Sequence, residues 1–227
     1  MHNITLAGEN SILIYFGNKI NAALPSKIAL FSHLLKTTLG NIVIDMTPSY
    51  TSLHISYDLN KITYQAFINK VEILLNQQNN GVSSFKPKII SIPVYYDTEV
   101  GPDLNRLLLE KNLDIRLFIK IHTAQPYLVY AIGFSPVFAY LGEVNRQIQM
   151  PRLTTPRVTV PAGSVAIADN QTAIYPTGSS GGWNIIGRTS LDLSLNNPDN
   201  INKFQVGDAV QFHAITRDEY LQNGGLL

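Results

Sequence analysis

Apolar residues fall into two rhythms along this chain, and the change from one to the other divides it. Ile12 to Phe16 is a short apolar run stopped by Gly17, and it predicts a strand. From Asn21 to Leu39 the residues Ala23, Leu24, Ile28, Phe31, Leu34, Leu35 and Leu39 recur at helical spacing, and Gly40 stands where a C′ glycine ends a helix. Ile42 to Met46 and Leu53 to Tyr57 predict two strands joined through Thr47-Pro48-Ser49. Thr63 is placed to cap a helix whose apolar face is Phe67, Ile68, Val71, Leu74 and Leu75. A polar connection, Gln77 to Ser84, leads to a strand at Ile89 to Tyr95. With a possible extra strand at Ile4 to Leu6, the order β-α-β-β-α-β predicts an α+β sandwich of the ferredoxin-like kind over residues 1–90.

Beyond residue 90 the pattern changes. Asp103 to Lys111 and Asp114 to His122 predict a small helical insert, each helix opened by an acidic residue as the helix dipole favours. Gln125 to Ile132 predicts a strand leading into a Gly133 loop, and no long helix follows. Short strands are expected at 158–160, 165–167, 173–175, 183–187, 190–193 and 209–214. That count, with turn residues between, predicts a closed antiparallel barrel over 91–227, with a frayed tail from Tyr220 to Leu227.

Composition narrows the function classes. Lys and Arg total 17 against 16 Asp and Glu, and no basic cluster forms a track for a phosphate backbone, so nucleic acid is not an expected partner. The chain has no cysteine, which excludes disulfides, thiol catalysis and thiolate metal sites. No apolar run reaches membrane-span length and the N-terminus lacks a signal-peptide pattern, so a cytoplasmic protein is expected. There is no GxxxxGK[ST] loop, dinucleotide fingerprint, HExxH or GxSxG elbow, and the five histidines show no ligand spacing, so no metal is expected. His33 and His54 lack partner motifs and are expected to be structural.

Candidate chemistry gathers between Gly133 and Thr189, a stretch rich in Gly and Pro that holds the only tryptophan. Arg152 and Arg157 each follow a proline, so a planar fork of donors suited to carboxylate or phosphate sits on stiffened backbone; the other possibility is pairing with acidic residues at an interface. Five residues apart in an extended strand, they would face opposite ways, one to an anionic pocket and one to a partner. Ser179-Ser180-Gly181-Gly182-Trp183 exposes consecutive backbone N–H groups that suit an oxyanion, or else forms a tight turn anchored by Trp183. Phe134, Phe138 and Tyr140 form an aromatic stripe for a pocket or a docking face, or else pack the loop onto the barrel. His122 is either a general base or a satisfied core histidine.

These residues carry a resemblance. The segments Gly133-Phe134-Ser135-Pro136, Tyr140-Leu141-Gly142, Pro151-Arg152, Pro156-Arg157, Gly163-Ser164-Val165, Gln171-Thr172, Ile174-Tyr175-Pro176, Gly181-Gly182-Trp183 and Ile186-Gly187-Arg188-Thr189 resemble the family of 5-oxoprolinase B-subunits, also called the KipI or allophanate-hydrolase-subunit-1 family. Gly101-Pro102-Asp103-Leu104 and His122-Thr123-Ala124 fit it as well. Val137 stands where the family usually has Gly, and Ser180 where it usually has Pro. The resemblance implies a cyclophilin-like barrel and one component of an ATP-dependent enzyme that opens 5-oxoproline to glutamate, with the 5-oxoprolinase A-subunit and C-subunit as partners. ATP and Mg2+ are then expected for the assembled complex, with no evident motif for them in this chain. It implies catalytic roles for His122, Arg152, Arg157, Gln171 and Arg188. Substrate contacts are implied for Phe134, Tyr140, Gly163, Ser164, Gly181, Gly182, Trp183 and Thr189. The same family also admits an inhibitor of a sensor histidine kinase, or a carboxyltransferase component for urea-derived substrates.

Overall fold

The computed structural model describes residues 3–79 and 87–227, and the chain divides into two compact units, Met1–Pro87 and Lys88–Leu227. The first contains β1 (Asn3–Gly8), β2 (Ser11–Tyr15), α1 (Leu24–Leu39), β3 (Val43–Pro48), β4 (Ser52–Tyr57) and α2 (Tyr64–Asn79). Its strands form one antiparallel sheet in the order β1-β2-β4-β3. Strand alternation puts Ile12, Ile14, Leu53, Ile55 and Tyr57 on one face, where they pack with Phe31, Leu35, Phe67 and Val71 of the helices. Helix α1 starts later than expected, because Pro25 belongs in a first turn, where its missing N–H costs nothing. Gly40 keeps a right-handed φ of −61°, so the helix ends without the expected left-handed residue. Thr63 does cap α2, accepting from the Ala66 N–H at 3.4 Å. Gln77 and Gln78 extend that helix instead of leaving it, and Gln78 donates to the Lys27 carbonyl at 2.6 Å; residues 80–84 of the expected connection lie outside the described residues.

The strand expected to complete this sheet, β5 (Ile89–Val94), belongs to the second unit, and β1 holds the sheet edge beside β2. The second unit continues with α3 (Leu104–Lys111), α4 (Ile115–His122), β6 (Tyr127–Ile132), β7 (Ala139–Gly142), β8 (Arg157–Val160), β9 (Ser164–Ala168), β10 (Gln171–Ile174), β11 (Ser179–Gly181), β12 (Asn184–Arg188), β13 (Ala209–Ala214) and α5 (Arg217–Gln222). Seven strands run in the order β12-β9-β10-β7-β6-β13-β5. Tyr95, just past β5, exchanges two backbone hydrogen bonds of 2.9 Å with Arg188 at the end of β12, so the sheet nearly closes on itself. It is not wholly antiparallel. β13 lies parallel to β5 because the chain reaches it by a long crossover rather than a hairpin.

Both faces of the sheet are buried in places. Inside lie Ile92, Val94, Val129, Leu141, Val165, Ile167, Ile174, Ile186, Val210 and Phe212. Outside, the two-stranded ribbon β8–β11 covers part of the wall, and this double burial makes all five residues of β9 inaccessible. Ser190–Leu193 is not a strand. The carbonyls of Asp192 and Ser194 accept from the Asn200 side chain at 2.9 and 2.8 Å, which replaces a ladder. The tail is not frayed: Tyr220 is fully buried, and its hydroxyl donates to the Leu226 carbonyl at 2.7 Å.

The β6–β7 connection explains one departure from the family pattern. The Phe138 N–H donates to the Ser135 carbonyl at 3.2 Å, with Pro136 second and Val137 third in the turn at φ +67°. That is the position where a proline-led turn wants glycine, and a β-branched residue is strained there. Val137→Gly should therefore cost about 2 kcal/mol less than Val129→Gly, although both side chains are buried, because strain relief offsets part of the lost packing. Urea titration of the two variants checks this, and equal losses would remove the strain argument. Ser180, the second departure, sits at a register shift between β11 and β8, where a proline without an N–H is also tolerated.

Candidate functional site

The outward faces of β7, β10, β9 and β12 bring the motif residues together. Ala166, Ala168 and Ala173 make a floor of small side chains, and Phe138, Tyr140, Tyr175 and Trp183 stand around it. The Phe138 ring meets Tyr140 at 4.9 Å, Tyr175 at 5.3 Å and Trp183 at 6.0 Å between centroids, all edge-on, the arrangement ring quadrupoles favour. Phe134 leans on Phe138 at 5.3 Å and is 62% exposed, so the aromatic wall ends in solvent. Gln171 lies in register with Gly142 and Ala168 at the far end of the same strands.

Gly181 is a close approach rather than an open nest. A Cβ there would collide with the Tyr175 hydroxyl, which also hydrogen-bonds the Trp183 backbone. Burial pushes the Tyr175 hydroxyl pKa up; the Trp183 backbone bond and the Arg152 and Arg157 charges pull the other way. The Gly181-Gly182-Trp183 turn is thus already engaged by its own chain, at the Gly182 carbonyl by the Leu153 N–H and at the Trp183 backbone by the Tyr175 hydroxyl.

The two proline-led arginines divide, though not by strand parity. Residues 151–156 are not a strand, and β8 begins only at Arg157. Arg157 Nη2 donates to Asp103 Oδ1 at 2.6 Å, and the other Asp103 oxygen accepts from the Ile185 N–H at 2.7 Å. Asp103 precedes α3 but makes no cap bond; its carboxylate leaves the helix to hold β8 and β12. Arg157 therefore meets the acidic-partner expectation, with the partner inside its own unit. Arg152 is exposed and makes no hydrogen bond or ion pair among the described residues. The third motif arginine, Arg188, donates to the Ala162 carbonyl at 2.8 Å and to the Leu226 carbonyl at 2.9 Å. It lines a small open cavity of about 170 Å³ with Gly163, Thr189 and Gly224 to Leu226. Ser164 is fully buried beside it.

His122 is placed elsewhere, in the barrel core. Its Nε2 lies 3.1 Å from Thr172 Oγ1, which itself donates to the Ala166 carbonyl, so Nε2 carries the proton and Nδ1 accepts from the Tyr96 hydroxyl at 2.7 Å. Its ring stacks on Phe118 and Phe212. Burial lowers its pKa to about 3. An inaccessible imidazole with both nitrogens engaged is no general base, so the catalytic expectation for His122 is replaced by a structural role. Among the described residues no group of three or more His, Asp or Glu is placed to hold a metal ion. The sequence pattern did not single out Asp103, Arg106, Asn184 or Tyr175 as site residues; the Gly101-Pro102-Asp103 segment was the only signal for the first.

The family model of the carboxyltransferase domain, subdomain C and D, matches residues 2–202. The chain belongs to that family. Within it, the chain is 31% identical over 229 residues to a protein of Bacillus subtilis (strain 168) named as the B-subunit of 5-oxoprolinase, covering 96% of this chain and 95% of that one. A 5-oxoprolinase B-subunit of Haemophilus influenzae is 42% identical over 131 residues, 58% of this chain and 62% of its own. Among solved structures, TTHA0988 superposes with a TM-score of 0.77 at 27% identity over 90% of this chain, which spans only 39% of that longer chain. The urea amidolyase of K. lactis, with a TM-score of 0.68 at 17% identity over 97% of this chain and 15% of its own, shares the fold.

Proposed function

We propose that this chain is the B-subunit of a heteromeric, ATP-dependent 5-oxoprolinase that opens 5-oxo-L-proline to L-glutamate in the cytoplasm, working with the A-subunit and the C-subunit of that enzyme. The name borne by the full-length B. subtilis relative supports this reading, and the site geometry suits it. The observation that carries it is the aromatic wall with the exposed Arg152 guanidinium close enough to act on the Tyr175 hydroxyl. 5-Oxoproline is a small flat lactam with one carboxylate. The Tyr140 and Trp183 rings offer an apolar surface to the ring, and Arg152 offers a fork of donors to the carboxylate. The family's cyclophilin-like barrel is the frame for this face, and the sheet order with α1 and α2 on one side suits a ferredoxin-like arrangement in the first unit.

Activating a lactam carbonyl by phosphorylation would make it a good electrophile, and the developing charge needs cations and backbone donors. In this reading the arginine of this chain serves the substrate carboxylate, and no magnesium–triphosphate site is assigned to the chain. It has no glycine-rich phosphate loop, and its described residues hold no metal-binding cluster. We therefore assign it substrate binding and orientation, and derive no nucleotide step for it. The purified chain, given ATP, magnesium and 5-oxoproline, is expected to release no glutamate, and activity is expected once both partner subunits are added. Glutamate release by the chain alone would overturn the division of labour, and an inactive assembled complex would overturn the reading itself.

A further inference from the structure

The backbone on both sides of Arg152 is held. The carbonyl before it, on Pro151, accepts from Asn184 Nδ2 at 2.9 Å. The N–H after it, on Leu153, donates to the Gly182 carbonyl at 2.8 Å. The exposed Arg152 side chain makes no hydrogen bond among the described residues. Asn184 is fully buried with both amide protons used: its amide nitrogen also donates to the Ile167 carbonyl at 2.9 Å, and its oxygen accepts from Arg106 Nη2. Two carbonyls on one side and a guanidinium on the other allow one orientation of that amide. The other arm of Arg106 rests on Glu110 at 2.9 Å. Helix α3 thus reaches through one buried amide to the peptide that carries Arg152, as Asp103 at its start reaches Arg157.

We propose that Arg106 and Asn184 are positioning residues that present Arg152 to the carboxylate of the substrate. This rests on the reading of the aromatic face as the 5-oxoproline site. A buried amide with both nitrogen protons and its oxygen engaged holds an otherwise ladder-free loop beside Arg152, whose exposed side chain makes no hydrogen bond among the described residues. The consequence is specific: loosening Arg106 should weaken substrate binding and leave the chemical step nearly intact, because the reacting groups are elsewhere in the complex.

The test uses the assembled complex. Arg106→Met keeps the apolar stem and removes the donor to Asn184. It should raise KM for 5-oxoproline about tenfold and change kcat by less than about twofold, as expected when one charge-assisted contact is misplaced. Arg106→Lys, which keeps a cationic donor, should recover part of the loss. Arg152→Ala should raise KM as well, and adding Arg106→Met to it should raise KM no further, since Arg106 acts through Arg152. An unchanged KM in Arg106→Met, or full additivity in the double variant, overturns the proposal. If the wild-type complex proves inactive on 5-oxoproline, the functional reading fails separately, and the positioning claim is read from amide exchange. The Leu153 N–H should exchange about tenfold faster in Arg106→Met with the Leu107 and Leu108 amides of α3 unchanged. An unaltered Leu153 rate overturns the positioning claim itself.

Discussion

Replacing Asp103 by alanine should destabilise the second unit by about 2–4 kcal/mol, the largest single-residue loss expected outside the apolar core. Asp103 is 5% exposed and spends both carboxylate oxygens, one on Arg157 and one on the Ile185 N–H. Alanine leaves two donors behind. The Ile185 N–H stays buried without its acceptor, and Arg157, whose Nη1 already lacks a partner, loses its counter-charge. Arg157 keeps 29% of its side chain in solvent, which moderates the cost of the stranded cation. Asn at 103 retains an oxygen for the Ile185 N–H and loses only the charge, so Asp103→Asn should fall between wild type and alanine. Urea unfolding of the three proteins gives the order. A melting curve for Asp103→Ala that coincides with wild type would show that the pair contributes nothing.

Acid should unfold the barrel through His122. Its pKa is about 3 in the folded chain because burial opposes the charged form, and near 6.5 once unfolded. The folded pKa is the lower one, so the unfolded chain binds the extra proton. Stability from this residue is complete above about pH 6.5 and declines as pH falls towards 3, by roughly 1.4 kcal/mol for each pH unit. Carboxylates with lowered pKa, Glu99 beside Arg217 and Glu219 at the Thr216 cap, withdraw their contributions only at the acid end of that window. His122→Gln keeps a polar side chain in the niche without a titrating group. It should be less stable at neutral pH and show a flatter decline between about pH 6.5 and 4.5. An identical slope in wild type and variant would assign the acid sensitivity to other groups.

The helices were legible because their apolar faces repeat at 3.6 residues over long windows, as in α1 and α2. Several strands were not. β7 and β11 are short and sit among Gly, Pro and Ser, so turn chemistry hides them. Ser190–Leu193 reads as a strand, yet its neighbouring carbonyls are taken by Asn200, a side chain the local pattern cannot reveal. At the site, residue types were readable and their partners were not. Arg157 and Asp103 are 54 positions apart, and only the fold brings them together. Likewise nothing in the helical pattern around His122 shows that Tyr96 and Thr172 fill both of its nitrogens. Family resemblance pointed to the stretch that builds this face, while the assignment of each arginine needed the contacts.

The place of β13 sets an order for making this protein. It lies between β5, with which Ala209 registers on Ile89, and β6, where it pairs with Leu128 and Tyr127. A ribosome finishes β5 and β6 long before the strand that separates them, and Lys88 waits 120 positions for its Asp208 acceptor. During that interval both strands have an open edge, the kind of surface that recruits strands from other chains. The first unit has no such wait, since its described strands are complete by Tyr57. A recombinant fragment ending at residue 202, where the family match stops, would keep those two edges open permanently and should be recovered as aggregate.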